Sequence, residues 1–153
     1  MTGEGVTERR REWMDQSLPP PVLGHLPESL SGLTDDSREV GPGSLFILRC
    51  GSTYNDHHLR EAVDRGAALL LVPDRHLPSV AHKLGEWGYD IPVCATPHIQ
   101  EAAGAIGSAW WGRPSGTLSI VGVTGTNGKT TSSFLTRGIL EASGKRTGLI
   151  GTV

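Results

Sequence analysis

The sequence predicts an α/β protein built on a largely parallel sheet. Three apolar runs have the length and composition of buried strands: residues 44–50, 67–73 and 91–95. Each run is followed by a segment with the pattern of an amphipathic helix: residues 57–66, 77–88 and 96–112. Because strands that alternate with helices are joined by crossover connections, this order indicates parallel strands covered by helices.

Turn-forming residues mark the ends of these elements. Gly66 is placed to close the first helix, and Thr96 with Pro97 predicts an N-cap followed by the first helical position of the third. Residues 1–30 show little pattern and contain a proline-rich stretch, which is typical of an irregular arm or linker. A polar break at 113–117 then separates a first α/β domain, residues 31–112, from a second segment, residues 118–153.

Composition and charge exclude several classes of function. The net charge is −2, from 14 Lys and Arg against 16 Asp and Glu, so no basic face predicts a nucleic-acid partner. No apolar run approaches the length of a membrane span, and the first residues lack the apolar segment of a secretory signal. We therefore expect a cytoplasmic protein without a membrane partner, in which Cys50 and Cys94 are reduced.

The stretch SIVGVTGTNGKTTSSFL, residues 119–135, has the features of a phosphate-binding loop. An apolar run at 118–125 predicts a strand, and the amphipathic pattern at 128–144 predicts a helix that starts at the loop. A helix N-terminus with glycines before it presents backbone N–H groups and a positive dipole end to an anion. The alternative is a glycine-rich turn with an incidental lysine.

Each residue of this loop has an expected role toward ATP and Mg²⁺. Backbone groups from Gly125 to Gly128, including Thr126 and Asn127, would surround the phosphates, and the Lys129 ammonium would neutralise their charge. The Thr130 hydroxyl would bind Mg²⁺, and Thr131 would donate a further hydrogen bond to phosphate. The general pattern G-x-x-x-x-G-K-[ST] requires its first glycine at Val123, where this chain has none.

The displaced glycine matches a known family. The segment VGVTGTNGKTT, residues 121–131, resembles the ATP-binding motif T-G-[TS]-N-G-K-[ST]-[TS] of the Mur ligases. The folylpolyglutamate synthetases have a related loop, but they lack a separate domain before it. The resemblance implies an α/β domain that binds a UDP-linked substrate, followed by the beginning of a Mur-type ATP-binding domain.

Residues 33–72 carry a second resemblance. The segments Asp36-Ser37-Arg38, 42–46 and Gly66-Ala67 are similar to the UDP-binding domain of two branches of the family, the tripeptide synthetases and the ligases that add D-Ala-D-Ala. From the residues alone, a serine in this turn either caps a backbone group or binds a uracil or diphosphate oxygen.

The resemblance assigns four positions to the UDP substrate. It favours binding for Ser37, and it adds Asp35, Ser52 and Thr53. One departure stands nearby, because the chain has Asn55-Asp56-His57 where the family usually has D-G-H, and the loss of glycine reshapes this loop.

The pair His57-His58 raises the question of a metal site. Adjacent residues on a helix point in different directions, so this pair alone favours a surface or helix-start position over joint metal ligation.

The resemblance also implies a reaction. ATP and Mg²⁺ would activate the D-Glu carboxylate of UDP-MurNAc-L-Ala-D-Glu as an acyl phosphate, and a free amino acid, meso-diaminopimelate or L-lysine, would attack it. Catalytic residues and the amino-acid-binding domain of the family lie beyond Val153, so we expect the 153-residue chain to be a monomeric fragment, inactive alone. Two alternatives stay open: a fragment of the D-Ala-D-Ala-adding ligase, and a non-catalytic UDP-sugar-binding module.

Overall fold

A computed structural model describes Gln16, residues 18–49 and residues 55–151. The chain divides into two compact units, one up to Gly116 and one from Thr117 onward. The boundaries of the expected domains, 31–112 and 118–153, stay predictions, because this division does not show that either unit folds independently. Among the described residues, no helix is long and apolar enough to span a membrane.

The first unit is built on a five-stranded mixed sheet. Its strands are β1 (Pro21–Leu23), β2 (Gly32–Thr34), β3 (Ser44–Ile47), β4 (Ala67–Pro73) and β5 (Val93–Thr96). Their spatial order is β1-β5-β4-β3-β2. Three of the four pairings are parallel, and only β1 runs antiparallel to its neighbour β5. The predicted α/β class with a largely parallel sheet is confirmed.

Helices cover both faces of this sheet. They are α1 (Asp56–Asp64), α2 (Leu77–Trp87) and α3 (Ile99–Trp110). Phe46 of β3 packs in one apolar cluster with side chains of α1 and α2, and its neighbours Leu45 and Ile47 pack in the other with side chains of α3. The alternation follows from the period of two along a strand, and burial on both faces explains the continuous apolar run.

The prediction of an irregular arm over residues 1–30 is wrong in part. Residues 21–23 form β1, which pairs with the outer side of β5, and Leu30 is buried in the α3 cluster. The prolines here argued against a strand, because proline has no N–H to donate to a neighbouring strand. An edge strand tolerates that loss because one side of it faces no partner.

The predicted start of the third helix is also wrong. Thr96 belongs to β5, where it pairs with Pro73, and α3 begins at Ile99 after His98. The Thr96 hydroxyl accepts a hydrogen bond from the His98 N–H at 3.2 Å, so it closes a turn before the helix. Sheet pairing therefore shifts the helix start by two residues.

The second unit contains the predicted helix but not the predicted strands. Helix α4 (Lys129–Ala142) lies within the expected range. Residues 118–125 form no strand, their apolar side chains are exposed, and the described part of the expected strand at 146–153 is also irregular. These two strand predictions are wrong for the described residues, because a strand needs the hydrogen bonds of a neighbouring strand and the described part of this unit, up to residue 151, provides none.

Candidate functional site

Polar side chains meet at the carboxyl ends of the parallel strands in the first unit. Asp35 follows β2, Arg49 follows β3, and Gln100 lies in the first turn of the helix after β5. Arg49 joins them, because its Nη1 lies 2.6 Å from Asp35 Oδ2 and its Nε lies 2.9 Å from Gln100 Oε1. In open α/β sheets this edge is where ligands bind.

The turn after β2 is held by its own side chains. The Thr34 hydroxyl accepts from the Asp36 N–H at 3.1 Å, and the Asp36 carboxylate accepts from the backbone and guanidinium of Arg38. The hydrogen bonds from Arg38 lower the pKa of Asp36 to about 2. Capping in this turn is therefore performed by Thr34 and Asp36, which leaves the Ser37 hydroxyl for other contacts.

Ser37 connects this turn to helix α1. Its side chain is buried, with its Oγ 2.6 Å from Glu61 Oε2 and 3.2 Å from His58 Nδ1. A carboxylate only accepts, so Ser37 donates its single proton to Glu61 and its oxygen accepts from the Nδ1–H of His58. The capping alternative for Ser37 is thus not what the structure shows. The Ser37 hydrogen bond is also the main reason that the pKa of Glu61 is lowered, and the charge of Arg65 lowers it further.

The other two residues assigned to the UDP substrate, Ser52 and Thr53, lie outside the described residues. The described residues continue from Asn55, whose side chain accepts from the His57 N–H at 2.9 Å and caps α1. Asparagine is a preferred N-cap residue, so the departure from the family's D-G at 55–56 supplies a helix start. The assignment of all four positions to the UDP substrate stays a prediction.

The histidine pair occupies the first turn of α1, as expected, but its rings converge. The ring centroids of His57 and His58 are 5.7 Å apart in an edge-on arrangement. One ring nitrogen from each and one carboxylate oxygen of Glu61 all lie within 4.8 Å of one another. Long side chains at neighbouring helix positions can therefore meet when both bend toward a residue one turn later.

The phosphate-loop residues lie together at the start of α4. Gly128 precedes the helix with φ +76, a left-handed conformation that side chains with a Cβ rarely adopt. No side chain caps this N-terminus, so the first N–H groups of the helix have no acceptor from a cap. Lys129 turns back over the loop, with its Nζ 2.6 Å from the Gly125 carbonyl oxygen and 3.4 Å from that of Thr126.

This arrangement fits ATP and Mg²⁺ in its chemistry. The uncapped N–H groups and the ammonium of Lys129 suit phosphate oxygens, and the exposed residues Thr130 and Thr131 follow at the next two helix positions. Asn127 lies in the loop between the two glycines. The roles of these residues toward nucleotide and metal stay predictions.

Two polar residues of the sheet edge were not found from sequence. Arg49 and Gln100 are 51 positions apart in the chain, so no local motif joins them. The predicted strand 44–50 included Arg49, and the predicted helix 96–112 included Gln100. Only the observed ends of β3 at Ile47 and of β5 at Thr96 place both residues at the carboxyl edge of the sheet.

Comparisons with known proteins identify the family. The chain is 36% identical over 135 residues to the UDP-N-acetylmuramoyl-L-alanyl-D-glutamate–2,6-diaminopimelate ligase of Bacillus licheniformis, a match that covers 88% of this chain and 25% of that protein. It is 39% identical over 142 residues to the enzyme of the same name from Geobacillus kaustophilus, covering 86% of this chain and 27% of that protein. By sequence, this chain belongs to the Mur ligase family.

A third Mur ligase relative bears a broader name. It is the UDP-N-acetylmuramyl-tripeptide synthetase of Roseiflexus sp., 39% identical over 135 residues, which cover 84% of this chain and 25% of that protein. No family model matches the chain. The chain spans about a quarter of the length of these curated relatives.

Proposed function

We propose that this chain is part of an ATP-dependent ligase that adds meso-diaminopimelate or L-lysine to UDP-MurNAc-L-Ala-D-Glu during peptidoglycan precursor synthesis. The observation that carries the proposal is the 36–39% identity, over most of the chain, to relatives named for that reaction. Under this proposal the protein acts in the cytoplasm as a monomer, with the UDP-linked dipeptide and a free amino acid as its partners.

The first unit would bind the UDP-linked substrate at the carboxyl edge of its sheet. Arg49 is a cation at this edge, and a diphosphate is a strong acceptor for a guanidinium. Asp35 pairs with Arg49 through half-exposed side chains, a contact weak enough to exchange for a phosphate contact. Ser37 lies at the same edge and fixes the adjacent helix.

The second unit would hold ATP. Bound ATP supplies the phosphoryl group that activates the D-Glu carboxylate as an acyl phosphate, and Mg²⁺ neutralises phosphate charge. The chain would contribute by orientation, because the N-terminus of α4 would direct its N–H groups at the phosphates. Lys129 would exchange its contacts with the Gly125 and Thr126 carbonyls for phosphate oxygens. The Thr130 hydroxyl would bind Mg²⁺.

Calorimetry on the chain tests the substrate site. Titration with UDP-MurNAc-L-Ala-D-Glu is expected to give one site, and Arg49→Gln is expected to weaken it about tenfold or more, since a hydrogen bond to a charged group contributes about 1.5–3 kcal/mol. Arg146→Gln is the matched control, because it removes the same charge from the other unit and should leave affinity unchanged. Equal affinity of both variants would refute the placement of the diphosphate.

Nucleotide binding is tested in the same way. Lys129→Ala is expected to abolish measurable binding of ATP with Mg²⁺, whereas Lys145→Ala, beyond the end of α4, should not. Binding of the UDP substrate without nucleotide by the unaltered chain would favour the non-catalytic module. Tighter binding of the UDP-tripeptide than of the UDP-dipeptide would favour the D-Ala-D-Ala-adding ligase.

A further inference from the structure

Helix α1 carries a cluster of metal-ligating side chains at its first two turns. One nitrogen of His57, one nitrogen of His58 and one oxygen of Glu61 lie within 4.8 Å of one another. A tetrahedral zinc ion with ligands at 2.0–2.1 Å separates its ligand atoms by about 3.4 Å. Both imidazoles are exposed. Ser37 contacts His58 and Glu61, so rotation of the His57 side chain can bring its nitrogen closer to the other two ligand atoms without disturbing those contacts or the core.

The contacts around Ser37 prepare His58 as a ligand. Because Ser37 uses its only proton on Glu61, its oxygen accepts from the Nδ1–H of His58 at 3.2 Å. In the neutral ring, this contact selects the tautomer in which the lone pair of His58 is on Nε2. Metal-binding histidines are generally held in this way, with the second ring nitrogen donating to a fixed acceptor.

The same hydroxyl orients the carboxylate. Glu61 Oε2 is held at 2.6 Å by Ser37, and among the described residues Oε1 makes a longer contact, 3.4 Å, to the Nη2 of the half-exposed Arg65. Such an exposed ion pair is weak and exchanges readily. One buried serine therefore positions two of the three ligands from outside the cluster.

We propose that His57, His58 and Glu61 form a binding site for a divalent transition-metal ion of the zinc type. Two imidazoles and one carboxylate suit Zn²⁺ and Co²⁺ and do not suit Mg²⁺, which prefers oxygen ligands. A three-ligand site leaves the fourth position to water or to a ligand atom. His57 and Glu61 line a depression on the surface together with Arg60, Asp64 and Arg65. This site is separate from the one proposed for nucleotide, because it lies in the first unit and uses nitrogen ligands.

The test uses the untagged 153-residue chain. Calorimetry with Zn²⁺, and visible absorption with Co²⁺, are expected to show one ion per chain, and the cobalt spectrum is expected to have the intensity of four-coordinate geometry. A tenfold excess of Mg²⁺ should not compete. The absence of stoichiometric binding, or displacement by that excess of Mg²⁺, would overturn the proposal.

Variants locate the site. His57→Ala removes one ligand and leaves the Ser37 contacts of His58 and Glu61 in place, so it tests binding without disturbing the fold. It is expected to weaken zinc affinity at least tenfold, because removing a residue that only hydrogen-bonds to a metal ligand already costs about that much. Glu61→Gln should do the same, and the exposed His82→Ala on α2 is the control that should bind as the unaltered chain does. Unchanged affinity of His57→Ala, with an unchanged circular dichroism spectrum, would also overturn the proposal.

Discussion

Replacement of Gly66 by alanine tests how the starts of two neighbouring strands are packed. Gly66 links α1 to β4, has φ +92, and its carbonyl accepts from the Gly43 N–H at 2.9 Å. A Cβ at this position would lie 3.1 Å from the Cα of Pro42, which precedes β3. Because that neighbour is backbone, it cannot rotate away, and the strand start must shift.

Gly88 provides a matched comparison. It ends α2 with φ +77, and a Cβ there would meet no atom within 4 Å. Alanine at either position carries the left-handed penalty of about 1–2 kcal/mol, partly offset by about 0.4–1 kcal/mol from the stiffer unfolded chain. Only at Gly66 does overpacking add about 1–3 kcal/mol. The expected difference between the variants is therefore about 1–3 kcal/mol, with Gly66→Ala the less stable.

Urea unfolding followed by circular dichroism measures this difference. In a domain of about 100 residues, each kcal/mol corresponds to about 4–8 °C in Tm, so thermal unfolding gives an independent value. The slope of the unfolding free energy against urea concentration should be the same in both variants, since neither substitution changes the surface exposed on unfolding. Equal losses for Gly66→Ala and Gly88→Ala would refute the argument, because the backbone approach to Pro42 would then cost nothing.

Three further predictions follow from the first unit. Ile106→Ala, at a fully buried position of α3, should lower the free energy of unfolding, measured in urea, by about 2–5 kcal/mol. A decrease of less than about 1 kcal/mol would contradict the packing of that face. Ser37→Ala should return the pKa of Glu61 toward its ordinary value. A carboxyl group whose pKa is lowered by folding stabilises the folded protein above its unfolded pKa of about 4.3, and this contribution is lost as the pH falls. The free energy of unfolding of Ser37→Ala, measured in urea at several pH values, should therefore approach that of the unaltered protein below about pH 4. In a Cys50→Ser background, Cys94 should react with a thiol reagent only after unfolding, because burial raises its pKa to about 11, and fast labelling of the folded protein would contradict this.

The core of the first unit could be predicted from the sequence because its signals are local. Continuous apolar runs identified β3, β4 and β5, and the 3.6-residue period identified α1 and α2. Burial on both faces of a parallel sheet is what makes such runs continuous, so the pattern and the architecture have one cause. The short edge strand β1 has no such run, and its place depends on the pairing of Pro21 with Cys94, far along the chain.

The site was less predictable because its contacts are not local. The motif around Ser37 could be found by resemblance, but its partners His58 and Glu61 lie 21 and 24 positions further on. The pairing of Arg49 with Gln100 likewise depends on the order of strands in the sheet, which sequence alone did not give. Residue type and position along a strand indicate which edge carries polar groups, and only the fold indicates which of them touch.

The phosphate loop shows the same distinction within one motif. Helix α4 was predicted correctly because its hydrogen bonds connect residues four apart and its glycine start is encoded beside it. The preceding run has equally strong apolar character, yet Leu118, Ile120 and Val121 are all more than 60% exposed and form no ladder. Apolar character gives a segment the capacity to be a strand, whereas pairing requires a second segment at hydrogen-bonding distance. A loop prediction that rests on the helix is therefore independent of whether the strand before it has formed.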